Sequence, residues 1–168
     1  DVSYISLASG ATINISDGEI ECAGKFEHDG DLTMSGGLLD INGEYESSNT
    51  ATENISDGTI YVAGDWDGDE DDAFTPTGGT VVFDGYTLQN FFCHNNTSFN
   101  NLTINSVNSG GYVDNFSFKS NLIVNGNLMT GGNSVTYLLH DTLQINGSSN
   151  LNGVFVVGDG YLDFNGFV

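Results

Sequence analysis

Arginine is absent from this 168-residue chain, and two lysines, Lys25 and Lys119, stand against 23 acidic residues. The resulting formal charge of −21 excludes nucleic-acid binding, because contact with a phosphate backbone requires Lys and Arg. The same charge repels anionic lipid. No apolar run approaches the ~18 residues of a membrane helix, so membrane insertion is not expected. Helical periodicity is missing as well. Proline occurs once and cysteine twice. The two cysteines, Cys22 and Cys93, fall on turns too far apart to bond, given the ~7 Å limit between Cα atoms. The chain opens on Asp rather than Met and closes on "FNGFV" without a polar tail, which suggests a processed chain or a piece of a longer one.

Glycine, by contrast, is abundant, with 23 residues, and it recurs in register. Anchors at Ile20, Leu39, Ile60, Val81, Leu102, Leu122, Leu143 and Leu162 lie 19 to 21 residues apart. Two positions beyond each anchor stands another apolar residue, from Cys22 to Phe164, and four positions beyond it stands Gly in seven of the eight copies. A fixed period near 20 indicates stacked supersecondary units. The apolar–x–apolar alternation has the period of a strand, and Asn-Gly after it is turn chemistry. The expected fold is all-β: a single right-handed parallel β-helix, or β-solenoid, filling residues 1–168 with about eight rungs of ~20 residues. At ~4.8 Å per rung it would be roughly 35–40 Å long.

Stacking turns sequence positions into columns. The anchors and the residues two beyond them should form the core. Asn42, Asn105, Asn125, Asn146 and Asn165 should form a structural Asn ladder at a turn, with side-chain amides bonded between rungs. The outward column between core residues becomes apolar at Tyr61, Val82, Thr103 and Ile123, which marks a lateral interface or cover by a loop. It lacks the Thr-x-Thr ladder of ice-binding solenoids. Residues 46–54, 67–73 and 86–98 read as excursions from the rungs, the places where a solenoid carries function. No polar cap is visible at either end, so further solenoid repeats or self-association are the expected partners.

Candidate chemistry is sparse. Asp65, Asp67, Asp69 and Asp71 alternate in "DWDGDEDD" and are candidate Ca2+ ligands, since hard carboxylate oxygens suit that ion. The stretch does not match an EF-hand, which wants Gly at the sixth position and Glu at the twelfth. His28, His94 and His140 fall on different rungs, and no nucleophile–base pair stands out. Lyases of the pectate type rely on Arg or Lys that this chain lacks or holds far apart. The reading is therefore no enzyme and no certain cofactor. The rival reading is a carbohydrate-binding or carbohydrate-cleaving module that meets surface glycans through Tyr45, Trp66 or Tyr61. Several Asn-x-Ser/Thr sequons arise by composition, and "DTL" marks Thr142 as a candidate O-glycosylation site.

The stretch "TGGTVVFDGYTLQNF…TSFNNLTINS" (77–106) resembles tandem repeats in large secreted and cell-surface proteins of Bacteroidota and related bacteria. The resemblance implies a β-solenoid stalk or adhesin, extracellular or displayed on the cell surface. The expected role is structural: a filament subunit, or an adhesin or stalk segment, assembling through solenoid stacking.

Overall fold

The computed structural model describes residues 2–68, 74–93, 97–106, 116–118, 120–132, 134–138 and 141–166. Every element in them is a strand, and every pairing is parallel. The chain winds through β1 (Ile5–Leu7), β2 (Thr12–Ile15) and β3 (Glu19–Cys22), then β4 (Phe26–His28) and β5 (Asp31–Ile41), then β6 (Tyr45–Ser47) and β7 (Thr52–Val62). It continues with β8 (Trp66–Gly68) and β9 (Thr80–Phe83), then β10 (Gln89–Phe92), β11 (Ser98–Phe99) and β12 (Asn101–Ile104). Two further turns follow: β13 (Phe116–Phe118), β14 (Leu122–Val124) and β15 (Leu128–Thr130), then β16 (Val135–Leu138), β17 (Thr142–Ile145) and β18 (Ser149–Leu151). Last come β19 (Val154–Val157) and β20 (Tyr161–Phe164). The described residues form a β-solenoid of seven turns and two sides of an eighth, in keeping with the expected parallel β-solenoid of about eight rungs.

Each turn has three sides. The first face stacks β1, β4, β6, β8, β10, β13, β16 and β19. The third face runs from β3 through the later halves of β5 and β7 to β9, β12, β15 and β18. The second face begins with β2 and the earlier halves of β5 and β7, and ends with β11, β14, β17 and β20. Between them, backbone bonds from Thr77 N–H to Ile55 O (2.9 Å) and from Ser98 N–H to Phe74 O (2.8 Å) continue it through residues 74–77. Residues 46–54 are therefore not an excursion. They supply most of β6 and the start of β7, with Ser47 buried. Within 86–98, β10 and the first residue of β11 are likewise rungs.

The register corrects the expected single column. Leu102 pairs with Leu128, 26 residues on, and Leu122 pairs with Leu143 on a different face. The longer connection after β12 carries the chain past a full period, so Leu122 falls 20 residues after Leu102 by sequence but one side earlier in the coil. An apolar–x–apolar pair followed by a turn serves any of the three sides, so the motif does not reveal its face. Both sets of anchors still line the interior: Leu39, Ile60, Leu102, Leu122 and Leu143 are all buried.

The anchor-plus-four glycines are required by space rather than by backbone conformation. Left-handed φ occurs instead at Gly10, Gly18, Gly37, Gly58 and Gly79. At Gly43 the constraint is close approach: an added Cβ would lie 2.6 Å from the Gly24 carbonyl carbon one turn below. Stacked corners thus leave no room for a side chain.

On the first face an aromatic column fills the core. Phe26, Tyr45, Trp66, Phe91 and Phe118 are register partners on successive turns, and all are buried. Aromatic side chains bury large areas and gain further from stacked and edge-to-face contact.

Candidate functional site

Outward on the first face, Ser6, Glu27, Glu46, Asp67 and Phe92 stand in register. Three acids at rung spacing repel one another. Lys25 offsets this by an ion pair with Glu46, with its ammonium 3.9 Å from Glu44. The Tyr4 hydroxyl donates to Glu27. Glu44, Glu46 and Asp67 each bring a carboxylate oxygen within 4.8 Å of the others. Burial holds the Glu44 carboxyl above its ordinary range, against the opposing pull of Lys25.

This arrangement redraws the candidate Ca2+ set. Asp67 joins Glu44 and Glu46, which stacking alone brings to it. Asp65 instead accepts from the Asn90 backbone N–H at 2.7 Å and from its side-chain amide at 3.4 and 3.3 Å. Asp69 and Asp71 lie outside the described residues. Glu44, Glu46 and Asp67 are the hard-oxygen donors that could hold a cation, and Lys25 already occupies part of that role.

Above Asp67 a groove of about 340 Å3 is lined by Asp67, Gly68, Phe92, Cys93 and Ser120. The Phe92 ring is exposed beside it. Cys93 donates its N–H to Ser120 Oγ at 3.0 Å, and burial pushes its thiol up to about 12. A thiol in that range stays protonated at neutral pH and is no nucleophile. Cys22 is buried and Cys93 half-buried, and both are free thiols.

Two buried polar knots were not legible in the sequence. His28 lies inside the coil; its Nε2 is 2.8 Å from the Tyr45 hydroxyl and 3.1 Å from Glu53 Oε1, and its Nδ1 is 3.3 Å from Gly30 O. Tyr45 also donates to Glu53 at 3.0 Å. Since Gly30 O can only accept, Nδ1 carries a proton and donates. Farther along, Gln89 donates to Val62 O (2.9 Å) and Gly64 O (2.7 Å) and accepts from Gly85 N–H (3.0 Å) and the Ser106 hydroxyl. A fully satisfied buried amide of this kind closes a corner without cost from unpaired groups. His94 and His140 lie outside the described residues.

Other candidates separate by face. The Asn ladder is real over three turns: Asn146 Nδ2 donates to Asn125 Oδ1 at 3.1 Å, and Asn165 Nδ2 to Asn146 Oδ1 at 3.3 Å. All three are exposed, so the ladder orders a surface rather than rescuing buried groups. Asn42 and Asn105 stand outside it at corners of the third face, where their backbone N–H groups donate to Cys22 O (2.8 Å) and Phe83 O (2.7 Å). On the third face the outward column is Glu21, Asp40, Tyr61, Val82, Thr103 and Met129. Ile123 is not in it; it sits on the second face between Ser98 and Gln144. Tyr61 is half-buried there, while Tyr45 and Trp66 are fully enclosed and cannot meet a glycan. Thr142 opens β17, with its N–H donating to Asn121 Oδ1 at 2.7 Å. Comparison with protein-family models, curated proteins and solved structures finds no match to this chain.

Proposed function

We propose that this chain is a structural rod segment, extracellular or displayed at a cell surface, extended by further parallel turns at its ends. The observation that carries the reading is the upper end of the coil. There β18, β19 and β20 each pair on one side only among the described residues. Leu151, Phe155, Leu162 and Phe164 pack onto the core while only half-buried. Val154, at 56% exposure, and Tyr161, at 63%, are open to solvent. Unpaired strand edges over a bare slice of core are a template for another strand layer, and solenoid repeats gain stability from each neighbour they stack on. The next layer comes from adjoining repeats or from another copy, giving a stalk, an adhesin segment or a filament. The acidic first face keeps such rods dispersed through self-repulsion. Ca2+ at Glu44, Glu46 and Asp67 belongs to this reading only if chelator lowers the melting temperature.

Electron microscopy of the concentrated chain tests the reading. Rods longer than the ~34 Å of seven turns, growing along the strand-stacking axis, support it. Particles that stay dispersed and release reducing ends from a polysaccharide overturn it. Glycan binding is the second reading. Its one supporting observation is the exposed Phe92 ring beside the groove with Asp67 and Ser120.

A further inference from the structure

We infer that the groove above Asp67 on the first face docks an arginine side chain of a partner polypeptide. The guanidinium face lies on the Phe92 ring, and its edge pairs with the Asp67 carboxylate. The inference is independent of axial extension. It starts from a change of character along this face. In the lower turns the outward positions carry Glu27, Glu46 and Asp67 in register, with Glu44 and Asp65 two residues before the last two. Higher up, Asn90, Ser117, Tyr137 and Val156 stand in register without an acid, and Leu88, Phe92 and Val156 are exposed. Asp67 and Phe92 are register partners. The uppermost acid of the column and the exposed ring therefore sit on adjacent rungs, ~4.8 Å apart along the stack. The groove of about 340 Å3 opens at this junction.

Charge requires the occupant to be a cation from outside. The whole chain holds two lysines and no arginine, so these five carboxylates outnumber every cation it owns. Lys25 pairs with Glu46 and lies 3.9 Å from Glu44. Burial first, and then the charges of Glu46, Asp67 and Asp65, still hold the Glu44 carboxyl above its ordinary range against the pull of Lys25. The remaining negative potential draws in a positive partner.

The ring selects the kind of cation. A hydrated metal ion gains little from an exposed Phe92, whereas a guanidinium is flat and weakly hydrated. It stacks on an aromatic face and bonds a carboxylate through its fork. A lysine ammonium is more strongly hydrated and has no fork. The groove is at the small end of the ~300–1,000 Å3 of ligand pockets, which suits one side chain better than a run of sugar rings. Leu88, four residues before Phe92, and Val156 higher on the face offer apolar contact to the neighbours of that arginine.

Asp67 is exposed, so its ion pair alone contributes little. Affinity therefore depends on ring and carboxylate together. Added salt screens the carboxylates and weakens the contact.

Fluorescence anisotropy with a labelled peptide of alternating arginine and leucine tests the inference, in chelator and at about 0.05 M and about 0.5 M NaCl. The expected result is saturable binding at low salt that weakens at high salt. Phe92→Ala and Asp67→Asn should each weaken it about tenfold, with circular dichroism confirming the fold. Asp40→Asn removes the same charge from the third face and should change the affinity less than about twofold. A peptide of alternating lysine and leucine should bind more weakly than the arginine peptide. Four results overturn the inference: no saturable binding at low salt, unchanged affinity in Phe92→Ala, equal losses in Asp67→Asn and Asp40→Asn, or equal affinity for the lysine peptide. Glucosamine oligomers that bind through Phe92 and Asp67 in place of the peptide overturn it as well and assign the groove to an amino sugar. Binding is measured on the single chain, so failure of the rod reading leaves these outcomes untouched.

Discussion

Tyr45 and Trp66, one turn apart on the first face, stack with ring centroids 3.9 Å apart and planes 17° from parallel. They are the tightest pair in the aromatic column, and Phe74, Phe83, Phe91 and Phe99 all surround the indole. Trp66→Ala therefore opens a cavity that a coil closed by hydrogen bonds on three sides cannot collapse. The expected loss is about 3–5 kcal/mol, read as a lower urea midpoint. Tyr86→Ala, at a residue 70% exposed, should change stability by less than about 0.5 kcal/mol.

The corner glycines give a second prediction. Gly43→Ala drives a Cβ to 2.6 Å from the Gly24 backbone, while at Gly132 the nearest atom is Asn152 O at 3.9 Å. The first substitution should cost about 1–3 kcal/mol through forced backbone shifts. Gly132→Ala should be neutral or slightly stabilising. Equal effects at both positions would contradict the stacked-corner account.

The His28–Tyr45–Glu53 knot is buried, with the Glu53 side chain 3% exposed. Removing one member takes a hydrogen-bond partner away from each of the other two in a low-dielectric interior. Glu53→Ala should cost about 3–5 kcal/mol. Combined with Tyr45→Phe, it should cost less than the sum of the two single changes, because both remove the same hydrogen bond. Denaturant titration of the four proteins in the cycle checks this.

Acid should stabilise the fold before it destroys it. Burial, with a further push from Asp40, holds the Asp84 carboxyl above its ordinary range, and burial raises Glu44. In the window between unfolded and folded values the folded state keeps protons that the unfolded chain has released. Their contribution is full below the unfolded value and is lost as pH rises through the folded one. The melting temperature should therefore climb as pH falls from neutrality towards the carboxylate range. Asp84→Asn should melt higher than wild type at pH 7, with the two curves converging near pH ~4. A difference that stays constant with pH would mean that the Asp84 charge is not its source.

Much of the architecture was legible because it rests on period. Leu39, Ile41, Ile60 and Val62 announce inward strands, and the repeat near 20 announces a solenoid. The face assignment was not legible. Leu102 and Leu122 look equivalent at a spacing of 20, yet they lie on different sides because the intervening connection is longer than a normal turn. Sequence alone also placed Asp65 with Asp67, whereas stacking takes Asp67 to Glu44 and Glu46 and leaves Asp65 to Asn90. Contacts between turns are set by register, and one lengthened connection shifts every assignment beyond it. His28 and Gln89 were missed for another reason: a buried polar residue looks like a surface one until its partners from other turns are known.

Small-angle X-ray scattering of two copies joined in tandem tests the rod most directly. If the upper edge of one unit accepts the first turn of the next, the maximum dimension should grow by one rod length, about 34 Å or slightly more. The cross-sectional radius should stay unchanged and the pair should melt in one transition above the single unit. Two beads on a flexible joint, melting as the single unit does, would contradict the account.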